Sequence, residues 1–514
     1  MKRKTFAAID VGSYELAMKI FEISQTNGLK QIDHIRHRID LGTQSYSQGK
    51  LSYERLEEVC RILSEYKKIM EGYRVDEYRA YGTSALRELS NKIIVLDQIR
   101  SKTGIEIQIL SNSEQRFLDY KSIASTGSEF EQIIENGTAI LDIGGGSIQL
   151  SLFDKDTLVT TQNMQLGVLR LYDRIQHICG NPAHMESLLG EMIHNQLSVF
   201  RKLYLKDREI TNLIVVDDYV SFILSGKKKG ASLANDLSRE EFERIVERIY
   251  SSSMQQTATE FMVPEENVPL LQVASKLVKS TLEILDAKKL FVPGVTLGDG
   301  IAYDYAEKTK LIRPRHNFEA DIIACAKNLS KRYQGSRRRG ETLENTCMVI
   351  FDAMKKSSKL TDRQKLLLRI AALLHDCGKY VSLTQVGECS YHIVMNTEII
   401  GLSHLEREIV ANVVKFNHLD FMYFDELSAY SEIDRESYLT IAKLTAILRV
   451  ANGISRSHKQ KISEVKAALK DEELVITVDA IENLELERGL FGNKAKFFEE
   501  VYNVHPVIKM KKTL

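Results

Sequence analysis

Residues 138–153, TAILDIGGGSIQLSLF, run apolar to an aspartate, turn through three glycines and a serine, and leave in a second strand-like run. Residues 6–21, FAAIDVGSYELAMKIF, repeat the pattern: strand, Asp10, an aliphatic, Gly12, Ser13, a short polar turn, strand. Each reads as a β-hairpin with a carboxylate at its tip. Asp10 and Asp142 are separated by about the length of one domain. A hairpin repeated at that spacing predicts an internal duplication in which each half supplies one hairpin to a shared cleft. Glycine adopts backbone conformations closed to other residues, so Gly144, Gly145 and Gly146 with Ser147 are predicted to form an anion nest, with Gly12 and Ser13 as its counterpart. Asp142 would repel a bare phosphate there, which points to a divalent cation or a polarised water beside it.

Between and after the hairpins, strands and helices alternate, which predicts an α/β layer fold. Apolar residues at helical spacing (Leu56, Val59, Leu63, Tyr66, Met70) predict a helix over 51–70. Short strands are expected at 78–82, 105–110, 213–216 and 290–292, and Ser238 with Glu241 reads as a capping box. From Arg313 the chain turns almost wholly helical, punctuated by HDCGK at 375–379, and it closes with a strand at 473–480 and a last helix. The expected divisions are 1–125 and 126–310 for the two α/β halves, 311–465 for the helical domain and 466–514 for a small α/β unit.

Lysine plus arginine and aspartate plus glutamate both number 70, so no global charge advertises nucleic acid and any polyanion must be met by a local patch. Candidates for such patches are residues 337–339 and 456–461. The six cysteines are scattered without a CxxC pair, which suggests neither a disulfide framework nor a zinc site. With no apolar run of about 20 residues, a soluble cytoplasmic protein without a membrane partner is expected.

Phosphoanhydride hydrolysis needs a cradle for the oxygens, positive charge against them, and a base to orient water. Arg87, in GTSALRELSN, stands in the first turns of a helix and is the best cation, with a surface ion pair to Glu88 or Glu77 as its alternative reading. Glu114 opens a helix directly after a strand and is the candidate base, though a first-turn glutamate also stabilises any helix dipole. The set IDVGS, TSALRE, the Glu-led helix, LDIGGGS, LGVLRL and PGVTLGDG resembles the exopolyphosphatase and guanosine pentaphosphate phosphohydrolase (Ppx/GppA) family in order and spacing. HDCGK and AILRVANGISRSH resemble the helical HD-type domain of its long members.

The resemblance implies duplicated actin/hexokinase-like domains followed by an HD-like domain. It also implies Mg²⁺ or another divalent cation, a homodimer, and release of phosphate from polyphosphate or pppGpp. Its roles fall on Glu114 as base, Asp142 beside the metal, Arg87 on phosphate, and residues 10–13 and 144–147 as phosphate loops. Three departures imply weakened catalysis, or a sensor that only binds polyphosphate or (p)ppGpp. Gln149 stands where an acid helps hold Mg²⁺, the first loop continues Tyr14-Glu15, and Asp217-Asp218 replace a glycine loop. In the helical domain His375 and Asp376 survive as an HD remnant, but Arg339, Cys389, Asn417 and Ser455 stand at other metal-ligand positions. His375 and Asp376 are therefore expected to form a structural hydrogen-bonded pair.

Overall fold

Two sheets of one topology carry the two hairpins. In the first, β1 (Lys4–Val11) pairs antiparallel with β2 (Glu15–Ser24), which pairs with β3 (Gly28–Arg38), while β4 (Glu77–Gly82) and β5 (Ile107–Ile109) continue parallel on the other side of β1. In the second, β6 (Thr138–Ile143), β7 (Ile148–Asp154) and β8 (Thr157–Met164) repeat the antiparallel trio. There β9 (Asn212–Asp217) and β11 (Lys289–Phe291) repeat the parallel pair, and β10 (Asp236–Ser238) adds an antiparallel edge. The registers also match: Asp10 faces Ala17 across its hairpin and Asp142 faces Gln149 across the other. This is the duplicated actin/hexokinase-like arrangement. The computed structural model describes residues 3–510 apart from 127–128, 156, 179–183, 218, 222–235, 315, 432, 455–461 and 481.

The chain divides into two units, Met1–Phe318 and Glu319–Leu514. Inside the first, helix Tyr53–Gly72 buries Leu56, Val59, Leu63, Tyr66 and Met70, the stripe its spacing predicts. Ser238 and Glu241 do form a capping box. Helix Leu297–Lys308, which the expected divisions place in the second half, returns to the first sheet and packs Leu297 and Ile301 with Phe6, Ala8 and Leu118. A Cβ on Gly300 would stand 1.9 Å from the Leu118 carbonyl oxygen, so this helix touches helix Asn112–Ala124 backbone to backbone. That close approach fixes how both helices meet the cleft.

The second unit is built of helices including Arg337–Met354, Asp362–Leu374, His404–His418 and Arg435–Ile454. A three-stranded sheet of β12 (Ile462–Lys470), β13 (Glu473–Ala480) and β14 (His505–Met510) follows, with helix Glu485–Tyr502 between the last two strands. Among the described residues no helix is long and apolar enough to cross a membrane.

Candidate functional site

The two hairpins end in the same turn. Gly12 N–H donates to the Glu15 carbonyl at 3.0 Å and Gly144 N–H to the Ser147 carbonyl at 3.0 Å. The turns abut, since a Cβ on Gly145 would lie 2.9 Å from Ser13 Cβ. The nest expected from Gly144, Gly145 and Gly146 is not formed: none of the three has the left-handed φ that a nest alternates with the right-handed one. Space explains the glycines instead. A side chain on Gly146 would strike the Tyr46 ring at 2.5 Å, and one on Gly145 would strike Ser13 and Leu169. Beneath the loop, Val168 and Arg170 N–H donate to the Gly144 and Gly145 carbonyls, and Arg170 Nε donates to Gly146 O at 2.9 Å. The amides opening helix Val168–Ile178 thus hold the loop from below.

A cleft of about 80 Å³ lies between the turns, lined by Asp10, Gly12 and Ser13 from one side and by Asp142, Gly144 and Gly145 from the other. It also takes in Glu15, Asp119 and Asp217, and none of its described lining residues is a lysine or arginine. Among these carboxylates, Glu15 and Asp217 are gripped by named neighbours. Arg36 grips Glu15 through Nε and Nη2 at 2.8 and 2.7 Å, and Asp217 accepts from Val220 N–H at 2.6 Å and Ser221 N–H at 3.0 Å. Asp218 lies outside the described residues. Positive potential comes from the N-terminus of helix Leu297–Lys308, whose cap Thr296 and first residue Leu297 line the cleft. Ser13 Oγ is tied into a triangle with Tyr46 OH at 2.6 Å and Ser84 Oγ at 3.0 Å, and burial raises the Tyr46 phenol above its ordinary range.

Other expected residues are placed elsewhere. Glu114 Oε2 accepts from Ser111 N–H at 2.9 Å while Ser111 Oγ accepts from Glu114 N–H, so this carboxylate caps its own helix and does not line the cleft. Its neighbour Gln115 does line it, with an Oε1 that is buried and has no hydrogen-bond partner among the described residues. Asp119, one helical turn further, completes the cleft-facing stripe and is 3% exposed. Arg87 Nη1 donates to the Leu110 carbonyl at 2.6 Å, which ties the guanidinium to the strand end and away from the cleft lining. Gly146 and Ser147 are likewise outside the lining. Gln149 is 2% exposed and accepts from Arg116 Nε at 2.7 Å, so it is the partner of a buried guanidinium and no metal ligand.

The model of the Ppx/GppA phosphatase family matches residues 20–309, and that of the family's domain III matches residues 323–492. The chain belongs to the Ppx/GppA phosphatase family. A guanosine-5'-triphosphate,3'-diphosphate pyrophosphatase of Aeromonas hydrophila is 20% identical over 454 residues, covering 87% of this chain and 86% of the relative. One from Vibrio atlanticus is 20% identical over 492 residues, covering 92% and 91%. Among solved structures, an exopolyphosphatase from Cytophaga hutchinsonii superposes with a TM-score of 0.53 at 19% identity, over 60% of this chain and 100% of that one. A Ppx/GppA member from Aquifex aeolicus gives 0.51 at 18%, over 62% and 100%. At such identities the structures show the shared fold alone.

In this Ppx/GppA protein the Arg116–Gln149 pair is a stability element. Gln149→Leu, which strips an acceptor from a buried guanidinium, is expected to cost about 2 kcal/mol in a urea melt. Gln149→Glu is expected to leave any Mg²⁺ requirement of phosphate release unchanged, because the new carboxylate would meet Arg116.

At the HD remnant of the second unit, as elsewhere among the described residues, no group of three or more His, Cys, Asp or Glu side chains is placed to hold an ion. Nor is the remnant a hydrogen-bonded pair, since His375 Nε2 and Asp376 Oδ2 are 3.7 Å apart. His375 Nδ1 instead donates to the Ala372 carbonyl at 2.9 Å, and Asp376 takes Lys379 Nζ at 3.2 Å. Burial drives the His375 pKa down to about 4, so the ring is neutral at pH 7. Burial pushes Asp376 up, yet His375, Lys379 and Arg339 together hold it below the usual carboxylate range.

Proposed function

We propose that the chain is a phosphoanhydride hydrolase that releases terminal phosphate from inorganic polyphosphate or the 5'-phosphate from pppGpp, with catalysis attenuated by its own cleft residues. The observation that carries this reading is the convergence of Asp10 and Asp142, at equivalent registers of two duplicated hairpins, on one cleft with a helix N-terminus. The relatives named as guanosine-5'-triphosphate,3'-diphosphate pyrophosphatases support the reaction class.

An acid-lined cleft without a lysine or arginine suits a phosphate chain only when a cation accompanies it, and its donors are the hard carboxylate oxygens that Mg²⁺ prefers. Asp142 and Asp10 would hold that ion, with substrate oxygens and water completing its shell. When bound, Mg²⁺ supplies neutralisation of phosphate charge and a more acidic water. The Leu297–Lys308 helix N-terminus orients the anionic end of the substrate.

A second reading, a sensor that binds polyphosphate or (p)ppGpp with little turnover, is favoured by one observation. The helix residue at the cleft is the neutral Gln115, while Glu114 is committed to its cap. Phosphate release from long-chain polyphosphate and from pppGpp with Mg²⁺ separates the two. The native protein is expected to exceed Asp142→Asn by about 100-fold or more, the loss that follows removal of one charge-stabilising group. Equal rates for both proteins on both substrates would sink the hydrolase and leave the sensor.

A further inference from the structure

The second unit holds a cavity of about 290 Å³ at the HD remnant, lined by Arg339, Lys379, Asn417, Asn452 and Lys494 with His418 and Gly453. That is room for roughly ten waters at ~30 Å³ each. Five separate elements bring these residues together: helix Arg337–Met354, the turn Cys377–Tyr380, helix His404–His418, helix Arg435–Ile454 and helix Glu485–Tyr502. Three cations line it and none of its described lining residues is a carboxylate, while Lys379 is also paired with Asp376 at 3.2 Å.

The polarity of its hydrogen bonds is fixed by arginine, which only donates. Arg339 Nη2 donates to Asn452 Oδ1 at 3.4 Å, so Asn452 must present its amide nitrogen onward, and Nδ2 donates to Asn417 Oδ1 at 3.3 Å. The relay ends on Asn417 Nδ2. Asn417 is 2% exposed, and neither this nitrogen nor Arg339 Nε has a hydrogen-bond partner among the described residues. Buried donors of this kind cost stability unless something accepts from them. The wall therefore offers positive charge, with two buried N–H groups of its lining residues that no described acceptor answers, while Lys494 Nζ reaches the Asn417 carbonyl at 3.5 Å. A metal is the wrong occupant, because Arg339 and Asn417 bring a charge and an amide donor to positions where a cation needs ligands.

We propose that this cavity is an anion site for a diphosphate group, separate from the cleft between the hairpins. The planar Arg339 fork and Asn417 amide bind one phosphate's oxygens, and Lys494 and Lys379 neutralise the second. A diphosphate is carried both by inorganic polyphosphate and by nucleotides, and the site recognises what they share. The inference stands on the second unit alone and is independent of hydrolysis in the first.

The test is calorimetric titration of the full chain with inorganic pyrophosphate, in EDTA and at low salt, conditions in which the acid-lined cleft has no cation to help it. One saturable site per chain is expected, weakened at least tenfold by Arg339→Gln and by Lys494→Gln and unaltered by Asp142→Asn. Lys494→Gln leaves the Arg339–Asn452–Asn417 relay intact, so the test survives if Arg339→Gln fails to fold. Competition by tripolyphosphate but not GDP would mark the polymer as the natural source, and the reverse would mark a nucleotide. No saturable binding, binding unchanged in Lys494→Gln, or binding lost in Asp142→Asn would each overturn the proposal.

Discussion

Gln115→Glu is expected to raise Mg²⁺-dependent phosphate release from polyphosphate or pppGpp by roughly 100-fold or more, the usual contribution of a positioned general base. Gln115 places its buried Oε1 at the cleft wall beside Asp119 on the same helix, with Asp10 and Asp142 across the space. A glutamate there would face three carboxylates, and like charge together with burial lifts its pKa toward neutrality, where a base works best. The control is its neighbour. Glu114→Gln keeps a side-chain acceptor for Ser111 N–H and is expected to change phosphate release less than about threefold, while Glu114→Ala removes half of the capping box and costs about 0.5–1 kcal/mol. A large loss of release in Glu114→Gln with no gain in Gln115→Glu would return the base to Glu114 and require the helix to rotate when substrate binds.

The cleft and the cavity in the second unit meet phosphate in opposite ways. In the first, carboxylates dominate, and Arg36, Arg87 and Arg170 are committed to Glu15, to the Leu110 carbonyl and to Glu88 with Gly146. Binding there should rise with Mg²⁺ concentration. In the second the charge belongs to Arg339, Lys379 and Lys494, so binding should need no metal and should weaken as salt rises. The chain's balanced charge conceals both, because net charge sums local surfaces of opposite sign.

Much of this was legible in the sequence, and what was not has identifiable causes. The duplication, the pairing of hairpins and the cleft between them follow from two aspartate–glycine turns at domain spacing, because the turn and its flanking apolar runs are local signals. β3 was not legible: GLKQIDHIRHR lies against β2 with half-exposed and exposed residues throughout, so it lacks the apolar alternation that marks a strand. The role of the glycines was misjudged because a left-handed φ and a lack of space both select glycine, and only coordinates separate them. Glu114 is a case where the signal was present. Ser111 followed three residues on by Glu114 is a capping box, which assigns that carboxylate to the helix and leaves Gln115 and, one turn later, Asp119 for the cleft. Arg116 with Gln149 could not be foreseen, since the pair joins a helix of one half to a strand of the other.

Gly167→Ala is expected to abolish whatever the cleft does and to destabilise the first unit by about 3 kcal/mol or more, in the upper range for overpacking. A Cβ there would stand 2.3 Å from Gly145 O, Gly146 C and Ser147 N, three backbone atoms that no rotamer change can move aside. Relief requires helix Val168–Ile178 to withdraw, which breaks the Val168 and Arg170 amide bonds to the Gly144 and Gly145 carbonyls and leaves those carbonyls without their donors. The loop left without those donors is the one carrying Gly144 and Gly145 into the cleft behind Asp142, so stability and phosphate release should fall together. Gly72→Ala is the matched control, because that glycine ends a helix in the same unit with nothing within 4 Å of the added Cβ. It is expected to be neutral or stabilising by up to about 1 kcal/mol. Urea melts and phosphate-release rates on both variants decide the matter: a Gly167→Ala protein that matches Gly72→Ala in both would mean that the glycine loop does not depend on the helix beneath it.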